Sequence, residues 1–320
     1  MLSNFILPIN PITLEVAEQA GISLSVVRAD KIHPLASGNK LYKLQPNIDY
    51  MQQQSYPQAL SFGGAFSNHI HALALYTQSL GIDSIGIIRG EEKYASNPTL
   101  SAARQAGMTL VFVDRSTYRR RHNEDYLQDL QSKYPKAFII PEGGSNKFAL
   151  QGCRILMQQI NKRHLEINGI VPDVITVACG TGTTFSGLVA GATHEQSVQA
   201  YLVVKDPSVH TTINTQLGYK IATTNHSIHA ADFGGYAKFD IDLLNFILDF
   251  LAQTNILLDP IYSSKMCKKL TQQIEDGKFI SGTCITIVHS GGLQAWLGMK
   301  AKVIQIADEE VWNKIAAKIK

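Results

Sequence analysis

The chain has 320 residues, 45% hydrophobic and 17% charged, so it buries a sizeable core as one large or two ordinary domains and is not disordered. Its 29 basic and 26 acidic residues leave a net charge of +3, too balanced for a nucleic-acid binder; the one basic run, Arg119-Arg120-Arg121, reads as a solvated helix face. No apolar run is long enough to span a bilayer. The opening MLSNFILPINPITLEV lacks a basic n-region and is broken by Pro8 and Pro11, which argues against a signal peptide and for a cytoplasmic protein.

In chain order, the first buried strand is expected at 24–27. After it comes SGNKLYKL, residues 37–44, leading into a helix at 41–54. A helix start is electropositive and prefers Asp or Glu. Lys40 is therefore either a surface lysine in a poor place or an amine whose charge is meant to be suppressed. A second strand, 59–62, runs into SFGGAFSNHIHALAL and a helix at 68–80. Ser67 fits as its N-cap, and the free N–H groups beside it also suit a carboxylate. Then follow a strand at 85–88, a helix at 100–106, a strand at 110–113 and a helix at 118–133. A strand at 137–140 enters IIPEGGSNKFALQG and a helix at 150–161.

The strand at 174–178 runs into Cys179-Gly180-Thr181-Gly182-Thr183-Thr184 and a helix at 184–192. Backbone N–H groups and hydroxyls converge there as in a phosphate cradle. The lysine of a Walker A loop is missing, and the third glycine of a dinucleotide fingerprint is misplaced. A strand at 200–204, helices at 241–253 and 264–276, a strand at 284–288 ending in HSGG, and a helix near 309–319 complete the chain. Strand, turn and helix recur without an internal repeat, the pattern of an α/β protein with parallel sheets. In such sheets ligands bind beyond the carboxyl ends of the strands, where these glycine loops fall. Helix N-termini ringing one pocket favour an anionic, phosphorylated ligand and lower the pKa of a nearby amine. Together with Lys40 they suggest pyridoxal phosphate held by a lysine. Cys153, Cys179, Cys267 and Cys284 are scattered and read as thiols in a reducing compartment. His69 and His71 have no ligand partner nearby in sequence, so no metal is expected.

Six stretches, SGNKLYKL, FGGAFSNH, PEGGSN, CGTGTT, LLDPIYSSKM and HSGG, stand in order between residues 37 and 292. In this the chain resembles the fold-type II pyridoxal-phosphate enzymes, in the branch of D-cysteine desulfhydrase and 1-aminocyclopropane-1-carboxylate (ACC) deaminase. The resemblance implies two α/β domains of open, mostly parallel sheets with helices on both faces. The smaller is inserted at 45–150, and residues 1–44 and 151–320 form the larger, cofactor-binding one. It further implies a homodimer acting on a small amino acid. Lys40 would carry the cofactor as a Schiff base, and Asn68 would contact its ring and 3′-oxygen. Gly180, Thr181, Gly182, Thr183 and Thr184 would hold its phosphate, and Ser263 would face the pyridine nitrogen. Ser67, Asn68 and His69 would receive the substrate carboxylate. Lys40, Ser67, Tyr236 and Tyr262 would be the catalytic groups.

A neutral hydroxyl at Ser263 supports a ring proton less well than a carboxylate does, which favours expulsion of a group from Cβ. ACC deaminases of the family carry Glu and Leu where this chain has Ser263 and Ser290, and desulfhydrase-type members carry Ser or Thr. The resemblance therefore points to a D-cysteine desulfhydrase-like reaction giving pyruvate, ammonia and sulfide. ACC deamination, or elimination from another small amino acid, is the alternative. More remote are a dinucleotide-dependent oxidoreductase, with Asp206 meeting a ribose, and a non-catalytic protein that binds the cofactor. Three positions depart from the family: Ser37 for Gly, and Tyr42 and His71 for Arg. The last two are expected to line the approach to the site.

Overall fold

The computed structural model describes residue 2 and residues 5–33, 38–235 and 237–319. Along them run β1 (Ile9–Ile12), α1 (Glu15–Gln19), β2 (Ser23–Arg28), α2 (Asn39–Gln53), β3 (Gln58–Gly64), α3 (Asn68–Ser79), β4 (Asp83–Arg89) and α4 (Pro98–Gln105). Next come β5 (Thr109–Val113), α5 (Arg115–Arg119), α6 (Glu124–Lys133), β6 (Ala137–Ile140), α7 (Lys147–Asn168), β7 (Val174–Cys179), α8 (Thr183–Gly191), β8 (Ser197–Leu202) and α9 (Ser208–Leu217). The chain closes with β9 (Ser227–Ala230), α10 (Ile241–Thr254), α11 (Ser263–Glu275), β10 (Cys284–His289), α12 (Lys300–Ile306) and α13 (Glu309–Ala316).

The strands form two sheets. One has six strands in the order β1-β2-β10-β7-β8-β9, and the other has four in the order β5-β4-β3-β6. Every pairing is parallel except β1 with β2 at the edge. The chain leaves the larger sheet after β2, builds the smaller one, and returns through α7 to β7. β7 is buried along its whole length and β3 along all but its ends. Strands covered by helices on both faces read as continuous apolar runs for this reason.

All eight expected strands are present. β1 and β9 carry no such signal, because they are short edge strands, one holding Pro11 and the other reading SIHA. The helix expected at 118–133 is two helices. Asp114 caps the first by accepting from Ser116 N and Thr117 N, and the second restarts at Glu124 with two acidic residues in its first turn. α7 continues past 161 through the polar stretch NKRHLEIN and stops at Gly169 in the left-handed region. That stretch stays helical because His164 is buried in its midst, with Nε2 2.9 Å from Thr286 Oγ1 of β10. α9 escapes sequence reading because SVHTTINTQL is polar and β-branched. No helix of the described residues is long and apolar enough to cross a membrane. Cys153, Cys179 and Cys267 are buried free thiols, and Cys284 is partly exposed.

Candidate active site

A cleft of about 2030 Å³ opens where the carboxyl ends of both sheets meet, lined by residues of both. The loop before α2 forms its floor. Gly38 has φ +74°, and a Cβ there would stand 1.9 Å from Ser290 O. Only glycine lets the turn rest on the HSGG loop, where Asn39 N donates to Ser290 O at 3.2 Å. Lys40 follows in the first turn of α2, partly buried. Burial, and next the charge of Lys43, push its amine down from the ordinary lysine value to about 7. Its Nζ donates to Asn39 Oδ1 at 2.9 Å, and Asn39 Nδ2 donates to Thr184 Oγ1 at 2.9 Å.

Sequence reading passed over Lys43. Three residues on from Lys40, it shares the same helix face. Its Nζ is 3.5 Å from Thr181 Oγ1, and burial holds its amine below the ordinary range. The Lys-x-x-Lys spacing was the available signal. Tyr42 does not line the approach. Two residues past Lys40 it points to the far side of α2, fully buried, with its hydroxyl donating to Gln159 Oε1 of α7. His71 does line the cleft.

On the same cleft, the Gly180–Thr184 turn closes β7 and opens α8, whose first N–H groups have no helical partner. Gly180, Thr181, Gly182 and Thr184 face the cleft. Thr183 Oγ1 is engaged to the side, 2.5 Å from Ser145 Oγ of the PEGGSN loop and accepting from Gln216 Nε2 at 3.0 Å.

At the third wall, Ser67 is an N-cap whose Oγ accepts from Ile70 N at 3.3 Å. Asn68 opens α3, and Gln294 Nε2 donates to its Oδ1 at 2.8 Å. His69 turns inward. Ser61 Oγ donates to Ile140 O at 2.8 Å, which leaves His69 Nε2 as the donor to that same hydroxyl at 2.8 Å. His69 Nδ1 is then an unprotonated nitrogen, buried and without a partner among the described residues. Burial, then the charges of Lys40 and Lys43, hold this imidazole well below the ordinary histidine value, and it is neutral. A neutral imidazole presenting a lone pair cannot receive a carboxylate. The main-chain N–H of His69 at the start of α3 can.

Tyr262 lines the cleft against Gly180, where an added Cβ would stand 3.4 Å from its Cε1. It precedes α11, whose start is organised by the buried Asp259, a residue the sequence reading did not single out. The Asp259 carboxylate accepts from Ile261 N at 3.0 Å, Tyr262 N at 2.7 Å and Ser263 N at 2.7 Å, and also from Ser263 Oγ. Ser263 is fully buried and is not among the residues that line the cleft, with its hydroxyl proton committed to Asp259. Tyr236 and Ser37 lie outside the described residues. Among the described residues no cluster of three metal-ligating side chains occurs.

The fold and this cleft define a class. Residues 12–291 match the family of pyridoxal-phosphate dependent enzymes, and the chain belongs to it. It is a fold-type II enzyme of that family, and pyridoxal phosphate is its cofactor. The site fits that phosphorylated aldehyde: an amine lowered to about 7 and the start of α8, whose first N–H groups suit an anion, line the same cleft. A mitochondrial bifunctional D-cysteine desulfhydrase/ACC deaminase of Arabidopsis thaliana is 29% identical over 90% of this chain and 76% of its own length. A putative ACC deaminase of Pyrococcus abyssi is 26% identical over 87% of each chain. Among solved structures, an ACC deaminase homologue superposes with a TM-score of 0.79 at 21% identity, covering 96% of this chain and 95% of that one.

Proposed function

We propose that the enzyme eliminates the β-substituent of a small amino acid, with D-cysteine as the leading substrate. Cysteine and water would then give pyruvate, ammonia and sulfide. The observation that carries this reading is the Lys40 amine near 7, in one cleft with the Gly180–Thr184 turn, in a chain with serine at both 263 and 290. Pyridoxal phosphate, when bound, withdraws electrons from Cα, loosening its proton and letting Cβ expel its substituent. In this reading Lys40 holds the cofactor and, once displaced by the substrate amine, handles the Cα proton. The Gly180–Thr184 turn holds the phosphate, and Lys43 adds a point charge beside Thr181. Asn68 would face the ring 3′-oxygen. The main-chain N–H groups of Asn68 and His69, with Ser67, take the substrate carboxylate. Ser263 would be the neutral group nearest the ring nitrogen in this reading, and Tyr262, with Tyr236, would assist the leaving group.

Residues 45–150 are read as the smaller, inserted domain. A homodimer in the cytosol is the working form, and light scattering at twice the mass of the chain is the expected result. The deciding assay is sulfide and pyruvate release from D-cysteine and from L-cysteine, with ACC as a third substrate. Sulfide from a cysteine enantiomer, abolished by Lys40→Ala, is expected. Turnover of ACC alone would move the enzyme to the deaminase reaction, and no sulfide from either enantiomer would end the desulfhydrase assignment.

A further inference from the structure

Asn68 belongs to the four-stranded sheet's half of the cleft, one turn beyond β3. Gln294 belongs to the other half, two residues past the Gly291-Gly292 turn that follows β10. Their side chains meet across the cleft, Gln294 Nε2 donating to Asn68 Oδ1 at 2.8 Å, and both residues line it. An asparagine amide has one oxygen and one NH2 group, so occupying the oxygen decides where the NH2 group goes. Here Nδ2 is turned towards Gly292, which also lines the cleft. A Cβ on Gly292 would lie 2.7 Å from it, and φ at Gly292 is +91°. Asn68 Nδ2 has no acceptor among the described residues, so its two protons are available to a ligand.

We infer that Gln294 is a positioning residue: it fixes the orientation of the Asn68 amide so that the cleft meets N–H and not C=O. Because the two side chains come from opposite halves, the donor is set only while α3 stands against the Gly291-Gly292 turn. The inference rests on the reading that Asn68 faces the 3′-oxygen of the cofactor. An oxygen acceptor there requires N–H. The opposite amide orientation would set two oxygens against each other.

The test compares how tightly cofactor-free protein binds pyridoxal 5′-phosphate and its 3-deoxy analogue, by fluorescence titration. One net hydrogen bond is worth about a two- to tenfold preference for the ligand with the oxygen. Wild type is expected to show that preference. Gln294→Met leaves the amide free to turn and lowers the ratio of the two affinities about two- to tenfold from the wild-type value. Gln294→Glu can only accept; it draws Nδ2 towards itself, turns Oδ1 into the cleft, and takes the ratio below one. Comparing ratios largely cancels the added charge, since both ligands carry the phosphate. Gln294 is half-buried, and coincident thermal melts establish that the variants fold; Gln294→Leu replaces Gln294→Met if that one does not. A wild-type preference kept intact in both variants overturns the inference while leaving Asn68 its role. A wild type with no preference refutes the reading of Asn68, and the inference falls with it.

Discussion

The suppressed charge of Lys40 makes a quantitative prediction. An ordinary lysine titrating at 10.5 has about one amine in 3000 unprotonated at pH 7, whereas one titrating at about 7 has about half. Only the unprotonated amine attacks an aldehyde. Covalent capture of pyridoxal by cofactor-free protein, followed by stopped-flow absorbance, should therefore be on the order of a thousandfold faster at pH 7 than capture by an ordinary lysine. Its rate should rise with pH and level off above about 7. Pyridoxal without phosphate keeps the anion cradle out of the comparison. Burial is the larger cause of the shift and Lys43 the second. Lys43→Met removes a positive neighbour, so Lys40 keeps its proton to higher pH. The midpoint then moves up without reaching 10.5, and capture at pH 7 slows. A wild-type midpoint near 10, or a Lys43→Met midpoint that stays put or falls, would refute the reasoning.

Gly38→Ala places a Cβ 1.9 Å from Ser290 O at a φ of +74°, so it should cost more than about 1 kcal/mol in urea unfolding and slow the same aldehyde capture by displacing Lys40. Arg28→Met removes the guanidinium that holds Asp30 through Nε at 2.8 Å and Nη2 at 2.6 Å, with side chains only 10% and 4% exposed. Removing one partner of a buried ion pair costs up to about 3–5 kcal/mol, and His289, 3.8 Å from Asp30, keeps the cost below that limit. In wild type, burial opposes ionisation of Asp30, but His289 and Arg28 together hold its carboxyl below the ordinary value. Its contribution is therefore present above about pH 4 and lost as pH falls through the lowered folded-state value. In the variant only His289 and the backbone still oppose burial, so the carboxyl is held down less and this contribution shrinks. The stability gap between the two proteins should be widest near neutrality and narrow on acidification; a gap that widens towards pH 4 would contradict this account.

The sequence by itself determined eight of the ten described strands, because a strand covered on both faces must be an unbroken apolar run, as in VITVAC and CITIVH. It also determined the glycine loops after those strands, the N-cap at Ser67 and the conflict at Lys40, since each depends on neighbours within a few residues. It could not reach the groups whose partners are distant in the chain. Lys43 meets Thr181, Gln294 meets Asn68, and His69 takes its tautomer from Ser61, whose own proton is settled by Ile140. That tautomer leaves the main-chain N–H of His69, and not its ring, for a carboxylate, and Tyr42 left the cleft because α2 turns it into the core. Charge suppression at Lys40 is likewise tertiary: local sequence places the amine at a helix start, but burial and the Lys43 ammonium bring it to about 7. Which atoms donate and which accept in this cleft depends on hydrogen bonds between segments that only folding brings together.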